Sequence, residues 1–326
     1  MTPGCSIVIR AFNEGKYIER LLLGILQQTI KDVQIILVDS GSTDETTRIA
    51  SRYPVEIMSI LPEEFTFGRS LNFGILHASN PLVVIVSAHV YPVYPDWLER
   101  LLEPFMDPNV ALTYGKQRGD ESTRFSEHQL FMRLFPDNSS GKQNHPFCNN
   151  ANAAIRRTLW ERHAYNELLP GLEDLAWAKW AHEQGYAAYY AAEAEIIHVH
   201  NETLKGLYNR YRREGMAFKA IYPHEHFTLS EFFRTYFHNV TSDFEASRQL
   251  KVTHSVWKDI LSFRFLQLWG TYRGYRKTGP LTRQLKQAFY YPNQEALPLD
   301  PVVRTLEPIP YSEIQKQMDS KNDLSL

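Results

Sequence analysis

The feature that most constrains this fold is the stretch Ile35-Ile36-Leu37-Val38-Asp39-Ser40-Gly41-Ser42-Thr43-Asp44-Glu45. Its four consecutive apolar residues mark a buried strand, and Asp39 sits at the carboxyl end, where open α/β sheets place their ligands. Ser42 followed by Glu45 has the spacing of a capping box, so a helix is expected to begin here. Asp39 and Asp44 then flank a loop of small residues able to accept hydrogen bonds from a ribose hydroxyl or a base N–H. Asp-Ser-Gly-Ser is also ordinary turn chemistry, so the loop alone does not decide.

A second unit of the same kind stands just upstream. Ser6–Arg10 reads as a strand, Ala11-Phe12-Asn13-Glu14 as its exit loop, and Tyr17, Ile18, Leu21, Leu22, Ile25 and Leu26 follow at helical spacing. Further strands are expected at Val55–Ile60, Leu82–Ala88, Ala111–Lys116, Asn152–Arg156, Ala187–Tyr190 and Glu195–His200, with helices between most of them. Such alternation argues a parallel α/β sheet with helices on both faces. Residues 117–147 read as a polar, mobile connection with one short helix near Glu127–Leu134. From Thr203 the pattern turns helical and basic, with amphipathic helices near Ser230–Phe244 and His254–Lys277, then a Pro-rich and charged tail.

Together the paired units resemble the opening of inverting family-2 glycosyltransferases of the GT-A fold: a strand, an Asn-Glu loop, a helix, then a strand ending in Val-Asp-x-Gly-Ser-x-Asp. The match runs through Asn13, Glu14, Asp39, Gly41, Ser42 and Asp44. The resemblance implies a Rossmann-like mixed sheet flanked by helices, with a helical C-terminal region. It divides the chain into a GT-A domain over 1–205, a helical region over 206–290 and a tail over 291–326. Within the first, 1–116 would form the nucleotide-binding half and 117–205 the acceptor half. It further implies a nucleoside-diphosphate-sugar donor held by Arg10, Asn13, Glu14, Asp39, Ser42 and Asp44, and a glycan or lipid-linked acceptor in cell-surface polysaccharide synthesis.

Three later blocks extend the site. Phe67-Gly68-Arg69-Ser70-Leu71-Asn72 opens a helix whose N-terminus, with Arg69 beside it, suits a phosphate, and Gly68 lets a ligand approach the backbone. An exposed arginine at a helix start explains the same residues; the resemblance favours a donor-site role for Arg69 and Asn72. Gly171-Leu172-Glu173-Asp174 begins another helix, where acidic residues also simply complement the dipole. By resemblance, Asp174 is the catalytic base and Glu173 positions the acceptor, while Asn150 and Asn152 bond the donor sugar.

At Ser87-Ala88-His89 the chain departs from the family's Asp-x-Asp, whose last carboxylate binds the divalent cation. A hydroxyl and an imidazole suit magnesium poorly, and imidazole better suits manganese. Ser87 is then a donor contact. His89, with His200 and His198 on one face of the last strand, either ligates Mn2+ or Mg2+ or touches the diphosphate directly.

Other classes are disfavoured. A net charge of −2 over 326 residues gives no basic field for nucleic acid. Cys5 and Cys148 have neither metal spacing nor enough partners for a disulfide framework. With no signal-peptide pattern and no apolar run of spanning length, the expectation is a cytoplasmic protein, at most at the inner face of the membrane as a peripheral contact. A homo-oligomer is left open. A sugar-1-phosphate nucleotidyltransferase would need a Gly-x-Gly-x-Arg turn after the first strand, where Ala11-Phe12-Asn13-Glu14 stands. A catalytically silent sugar-nucleotide-binding subunit is compatible with the lost Asp-x-Asp, but not easily with an intact Glu173-Asp174 pair.

Overall fold

The computed structural model describes residues 4–61, 64–276 and 306–322. In chain order the strands are β1 (Cys5–Ala11), β2 (Val33–Asp39), β3 (Glu56–Ser59), β4 (Leu82–Ser87), β5 (Val90–Pro92), β6 (Val110–Arg118), β7 (Gly141–Gln143), β8 (Asn152–Arg156) and β9 (Ala187–His198). They form one mixed sheet in the order β3-β2-β1-β4-β8-β6-β9-β5, with β7 also paired to β9. The first four strands are mutually parallel; β8 runs antiparallel between β4 and β6. Strand order reverses between β1 and β4, the place where doubly wound sheets leave a crevice for ligands. Register aligns the strand ends there: Ala11 lies opposite Asp39, and Arg10 opposite Ser87.

The helices are α1 (Ile18–Leu26), α2 (Thr46–Ala50), α3 (Phe67–Leu76), α4 (Trp97–Leu102), α5 (Phe125–Leu134), α6 (Arg157–Arg162), α7 (Glu173–Glu183), α8 (Leu204–Ile221), α9 (Leu229–Gln249), α10 (Thr253–Tyr275) and α11 (Tyr311–Asn322). Alternate strand residues feed two apolar layers. Ile7, Ile9, Leu37 and Val84 pack with Leu21 and Leu22 of α1 and Trp97 of α4. Val8, Ile36, Val83 and Ile85 pack with Leu71 of α3 and Trp177 of α7. Each such side chain taken fully from water contributes about 1.5–3 kcal/mol, which is why these all-apolar strands lie in the middle of the sheet.

α8, α9 and α10 are tied to the sheet domain. α8 and α10 cross so closely that a β-carbon on Gly270 would stand 2.6 Å from the Tyr208 carbonyl oxygen. Arg264 of α10 is buried and donates to both oxygens of the buried Asp243 of α9, at 2.7 and 2.9 Å, and to the Ser126 carbonyl of α5. Arg133 of α5 completes that cluster by donating to Asp243 at 3.0 Å. The outer side of the helical layer keeps Phe233, Phe237, Trp257 and Phe265 exposed. From the tail, α11 lies over α1: the Ile309 N–H donates to the Val93 carbonyl, and Ile314 and Met318 pack on the first apolar layer.

Several sequence expectations are revised. Ser42 and Glu45 form no capping box: the Ser42 hydroxyl accepts from the Asn13 N–H, Glu45 pairs with Arg48, and α2 starts only at Thr46. The two strands expected at 187–190 and 195–200 are one strand, β9, and the three-residue β5 and β7 were not expected at all. Helices α5, α7, α9 and α10 lie where the periodicity put them, and Thr203 caps α8 by accepting from the Gly206 N–H.

Candidate active site

A cleft of about 420 Å³ opens at the carboxyl ends of β1 and β4, lined by Arg10, Glu14, Phe67, Ser87, His89, Asn149, Asn150, Glu173, Asp174, His198, His200, Arg210, Arg213 and Glu214 among others. The pairing of β5 with β9 assembles its most specific feature. Val90 faces His198, and the Val199 N–H donates to the His89 carbonyl, so the strand carrying His198 is held against the turn carrying His89. Alternation then brings His198 and His200 to one side, with His89 stacked on His198 at a ring separation of 5.1 Å. One ligating atom from each of the three histidines lies within 4.8 Å of the others.

Each ring is oriented by a partner on its other nitrogen. His89 Nδ1 lies 2.7 Å from Glu14 Oε1, His198 Nδ1 2.8 Å from Gln117 Oε1, and His200 Nδ1 2.7 Å from Glu127 Oε1. The carboxylates of Glu14 and Glu127 and the amide oxygen of Gln117 accept, so each Nδ1 carries the proton and the Nε2 atoms face the centre, where those of His198 and His200 stand 2.9 Å apart. Partners of this kind fix tautomer and orientation in metal sites. Burial holds His198 well below the ordinary histidine range, helped by the neighbouring imidazoles and Arg210. Burial and the Arg210 charge also lower His200, against the pull of Glu127. Burial would raise Glu127, but the charges of Arg210 and His200 and their hydrogen bonds bring it down to about 2. His198 and His200 are therefore held in the neutral form, the one that binds a metal. The residues present fit a divalent transition ion held by nitrogen better than a hard ion held by oxygen.

The same cleft carries the carboxylates Glu173 and Asp174. Leu172 takes a left-handed conformation (φ 54°), uncommon for a leucine, and this turns the first residues of α7 into the cleft. Arg10 pairs with Glu173 at 2.9 Å, and Glu173 is buried. Asp174 accepts from the Asn150 N–H at 3.0 Å and from its neighbour Leu175 N–H at 2.8 Å. Burial, then the charge of Glu173, raises the Asp174 carboxyl to about 7 despite these bonds and the opposing charge of Arg10. A carboxylate shifted into the neutral range at a cleft wall suits proton transfer.

The expected donor loops interlock beside the cleft. The Asn13 N–H donates to Ser42 Oγ, the Thr43 N–H to Asn13 Oδ1, the Glu14 N–H to Thr46 Oγ1 and the Gly15 N–H to Asp44 Oδ2, all at 2.7–2.9 Å. Burial pushes the Asp44 carboxyl up, but the bonds from Thr46 and Gly15 together hold it below the usual carboxylate range. Asp39 Oδ2 accepts from the N–H groups of Gly41 and Ser42, while its buried Oδ1 has no partner among the described residues. An unmet buried acceptor at a strand end is available to a ligand donor.

Other expected residues have different surroundings. Asn72 spends its amide inside the fold, donating to the Tyr165 carbonyl and Glu167 and accepting from Trp160 Nε1 and the Tyr165 N–H. Arg69 is half-exposed and pairs with Glu64; Thr66 caps that helix, and the close approach at Gly68 is to the Asn166 backbone rather than to a ligand. Asn152 is buried, with Trp97 Nε1, the Lys116 carbonyl and the Ala194 carbonyl as partners. These three do not line the cleft, and neither do Asn13, Asp39, Ser42 and Asp44 of the loops beside it, whereas Arg10, Glu14, Ser87 and Asn150 do. Gln117 and Glu127 were missed: Gln117 opens the segment read as a polar connection, and Glu127 begins the short helix expected within it. Glu127 stands on the stripe of Leu130, Phe131 and Leu134 at helical spacing, and a carboxylate on an apolar stripe was the available signal.

Residues 6–163 match the model of the Glycosyl transferase family 2. The O-antigen chain rhamnosyltransferase WbaN of Salmonella anatum is 29% identical over 233 residues, spanning 68% of this chain and 74% of that protein. Among solved structures, the mannosyltransferase PcManGT of Pyrobaculum calidifontis, in complex with GDP-Man and Mn2+, superposes with a TM-score of 0.56 at 19% identity, covering 83% of this chain and 86% of that one. TarS 1–349 of S. aureus in complex with UDP-GlcNAc gives 0.51 at 14% identity, over 84% of this chain and 91% of that one. These neighbours establish the GT-A fold expected from the sequence.

Proposed function

We propose that this glycosyltransferase, whose residues 6–163 match the Glycosyl transferase family 2 model, carries out an inverting transfer from a nucleoside-diphosphate sugar to a glycan or lipid-linked hydroxyl. The observation that supports it most is one cleft that holds both a carboxyl raised to about 7 and three convergent imidazoles. Asp174 takes the proton of the acceptor hydroxyl, whose oxygen bonds to the sugar carbon as the bond to the diphosphate breaks and its electron pair leaves with phosphate. Arg10 pairs with Glu173, whose charge raises the basicity of Asp174. Asn150 fixes the orientation of Asp174 through its N–H.

His89, His198 and His200 would hold a divalent ion, with manganese preferred over magnesium. When bound, that ion supplies positive charge to the diphosphate. Asp39, through its unmet Oδ1, and the laced loop of Asn13, Glu14, Ser42 and Asp44 recognise the nucleoside. The relative's name makes a 6-deoxyhexose the sugar to try first, in O-antigen-like polysaccharide synthesis. Contact with a membrane would be peripheral, since no helix among the described residues is long and apolar enough to cross one. Division of the chain at 205 is formal: α8 lies beyond it yet supplies Arg210, Arg213 and Glu214 to the cleft.

Incubating the protein with a panel of sugar nucleotides and Mn2+, and following the anomeric signals by NMR, tests this reading. One sugar nucleotide should be consumed with inversion at the anomeric carbon. Retention, or no consumption of any member with lipid-linked and glycan acceptors present, would refute it.

A further inference from the structure

The cleft is lined by three arginines, and two are already committed. Arg10 pairs with Glu173 at 2.9 Å. Arg210 donates to Glu127 at 2.6 Å and to Glu202 at 3.0 Å. Arg213 differs: none of its nitrogens forms a hydrogen bond or ion pair among the described residues, and its Nε is shut off from solvent. The side chain is nonetheless held in place. Its guanidinium lies over the Phe67 ring, 4.5 Å from the centroid, and its stem crosses Gly171, where a β-carbon would stand 3.5 Å from Nε. Gly171 directly precedes the turn that carries Glu173 and Asp174, so Arg213 is fixed at the carboxylate wall of the cleft.

A guanidinium ordered by an aromatic face and left without an acceptor is costly unless something supplies one. Its planar fork matches phosphate oxygens. Glu214, Glu202 and Glu173 lie close enough to favour the Arg213 charge, but none of them forms a hydrogen bond or ion pair with it, so the cation is retained in the cleft with its fork unfilled. We propose that Arg213 is the anion-binding residue of the cleft, its guanidinium taking phosphate oxygens of the donor's diphosphate in the cleft it shares with the histidine triad. The inference rests on the sugar-nucleotide reading above and adds the residue that receives the departing charge.

Inorganic pyrophosphate with Mn2+ is the probe, because it does not depend on the base or the sugar. Calorimetric titration of the wild-type chain is compared with Arg213→Met, Arg213→Lys and, as a control, Arg100→Met, an ion-paired surface residue of α4. Arg213→Met should bind pyrophosphate roughly ten- to a hundredfold more weakly, the loss of a charge-assisted hydrogen bond, with Arg100→Met unchanged. Arg213→Lys keeps the charge without the fork and should lie between. Equal affinity in wild type and Arg213→Met overturns the assignment. If thermal melting shows Arg213→Met unfolded, Arg213→Lys decides: weaker binding supports the assignment and equal binding overturns it. A wild-type chain that binds no pyrophosphate with Mn2+ refutes the donor-site reading itself, and the role of Arg213 with it.

Discussion

Asp174→Asn should make the protein more stable while removing its turnover. The carboxyl's ordinary value is 3.8, and burial beside Glu173 raises it to about 7 in the folded chain. A folded-state value above the unfolded one means that ionised Asp174 opposes folding. That opposition is absent below about pH 4, grows as pH rises, and is complete above about pH 7. Three units correspond to about 4 kcal/mol, a ceiling because Glu173 shares the effect. The amide has one acceptor oxygen for two N–H groups, those of Asn150 and Leu175, so one bond is lost at about 1–3 kcal/mol. The net expectation is about 1–3 kcal/mol of stabilisation at about pH 8, shrinking to nothing or reversing near pH 4. Urea unfolding of both proteins at the two pH values reads it directly. A variant destabilised at the higher pH, or a difference independent of pH, would refute the burial argument. Turnover falling less than about a hundredfold would separately remove Asp174 from the role of base.

Further expectations follow from the same geometry. Since the base must be unprotonated, kcat/KM should fall about tenfold per unit below about pH 7; a flat profile down to pH 5 would exclude a titrating Asp174. Asp39→Ala should weaken nucleoside-diphosphate binding roughly ten- to a hundredfold by calorimetry, and unchanged affinity would move the nucleoside elsewhere. Arg264→Met leaves the buried Asp243 short of its main partner and should cost about 3–5 kcal/mol in chemical unfolding; a loss under about 1 kcal/mol would show that Arg133 suffices.

Much of this site was legible from the chain because its signals are local. A strand ending in Asp39, a helix opening on Glu173 and Asp174, and histidines spaced by two on a strand are read from neighbours in sequence. The Ser87-Ala88-His89 substitution was legible as a departure, and the histidine it introduced does meet His198 and His200. What failed depended on distant partners. Asn72 and Asn152 are the right residue types near the right place, but Trp160, Tyr165 and Glu167 occupy one, and Trp97 and Ala194 the other. Ser42 had a capping residue's spacing, yet the Asn13 N–H, 29 positions away, claimed its hydroxyl. β5 is three residues long, too short for any periodicity, although its pairing with β9 is what closes the triad. Nor does sequence spacing reveal that Arg10 and Arg210 are committed while Arg213 is not.

The central claim is that three convergent imidazoles, His89, His198 and His200, hold a metal in this cleft. Pulsed EPR of Mn2+ bound with a nucleoside diphosphate tests it most directly, because nitrogen couplings count imidazole ligands. The wild-type chain should show imidazole nitrogen couplings that weaken by one ligand in His89→Ala and again in His89→Ala/His200→Ala. A Mn2+ signal with phosphorus couplings but no imidazole nitrogen, unchanged in both variants, would contradict the account.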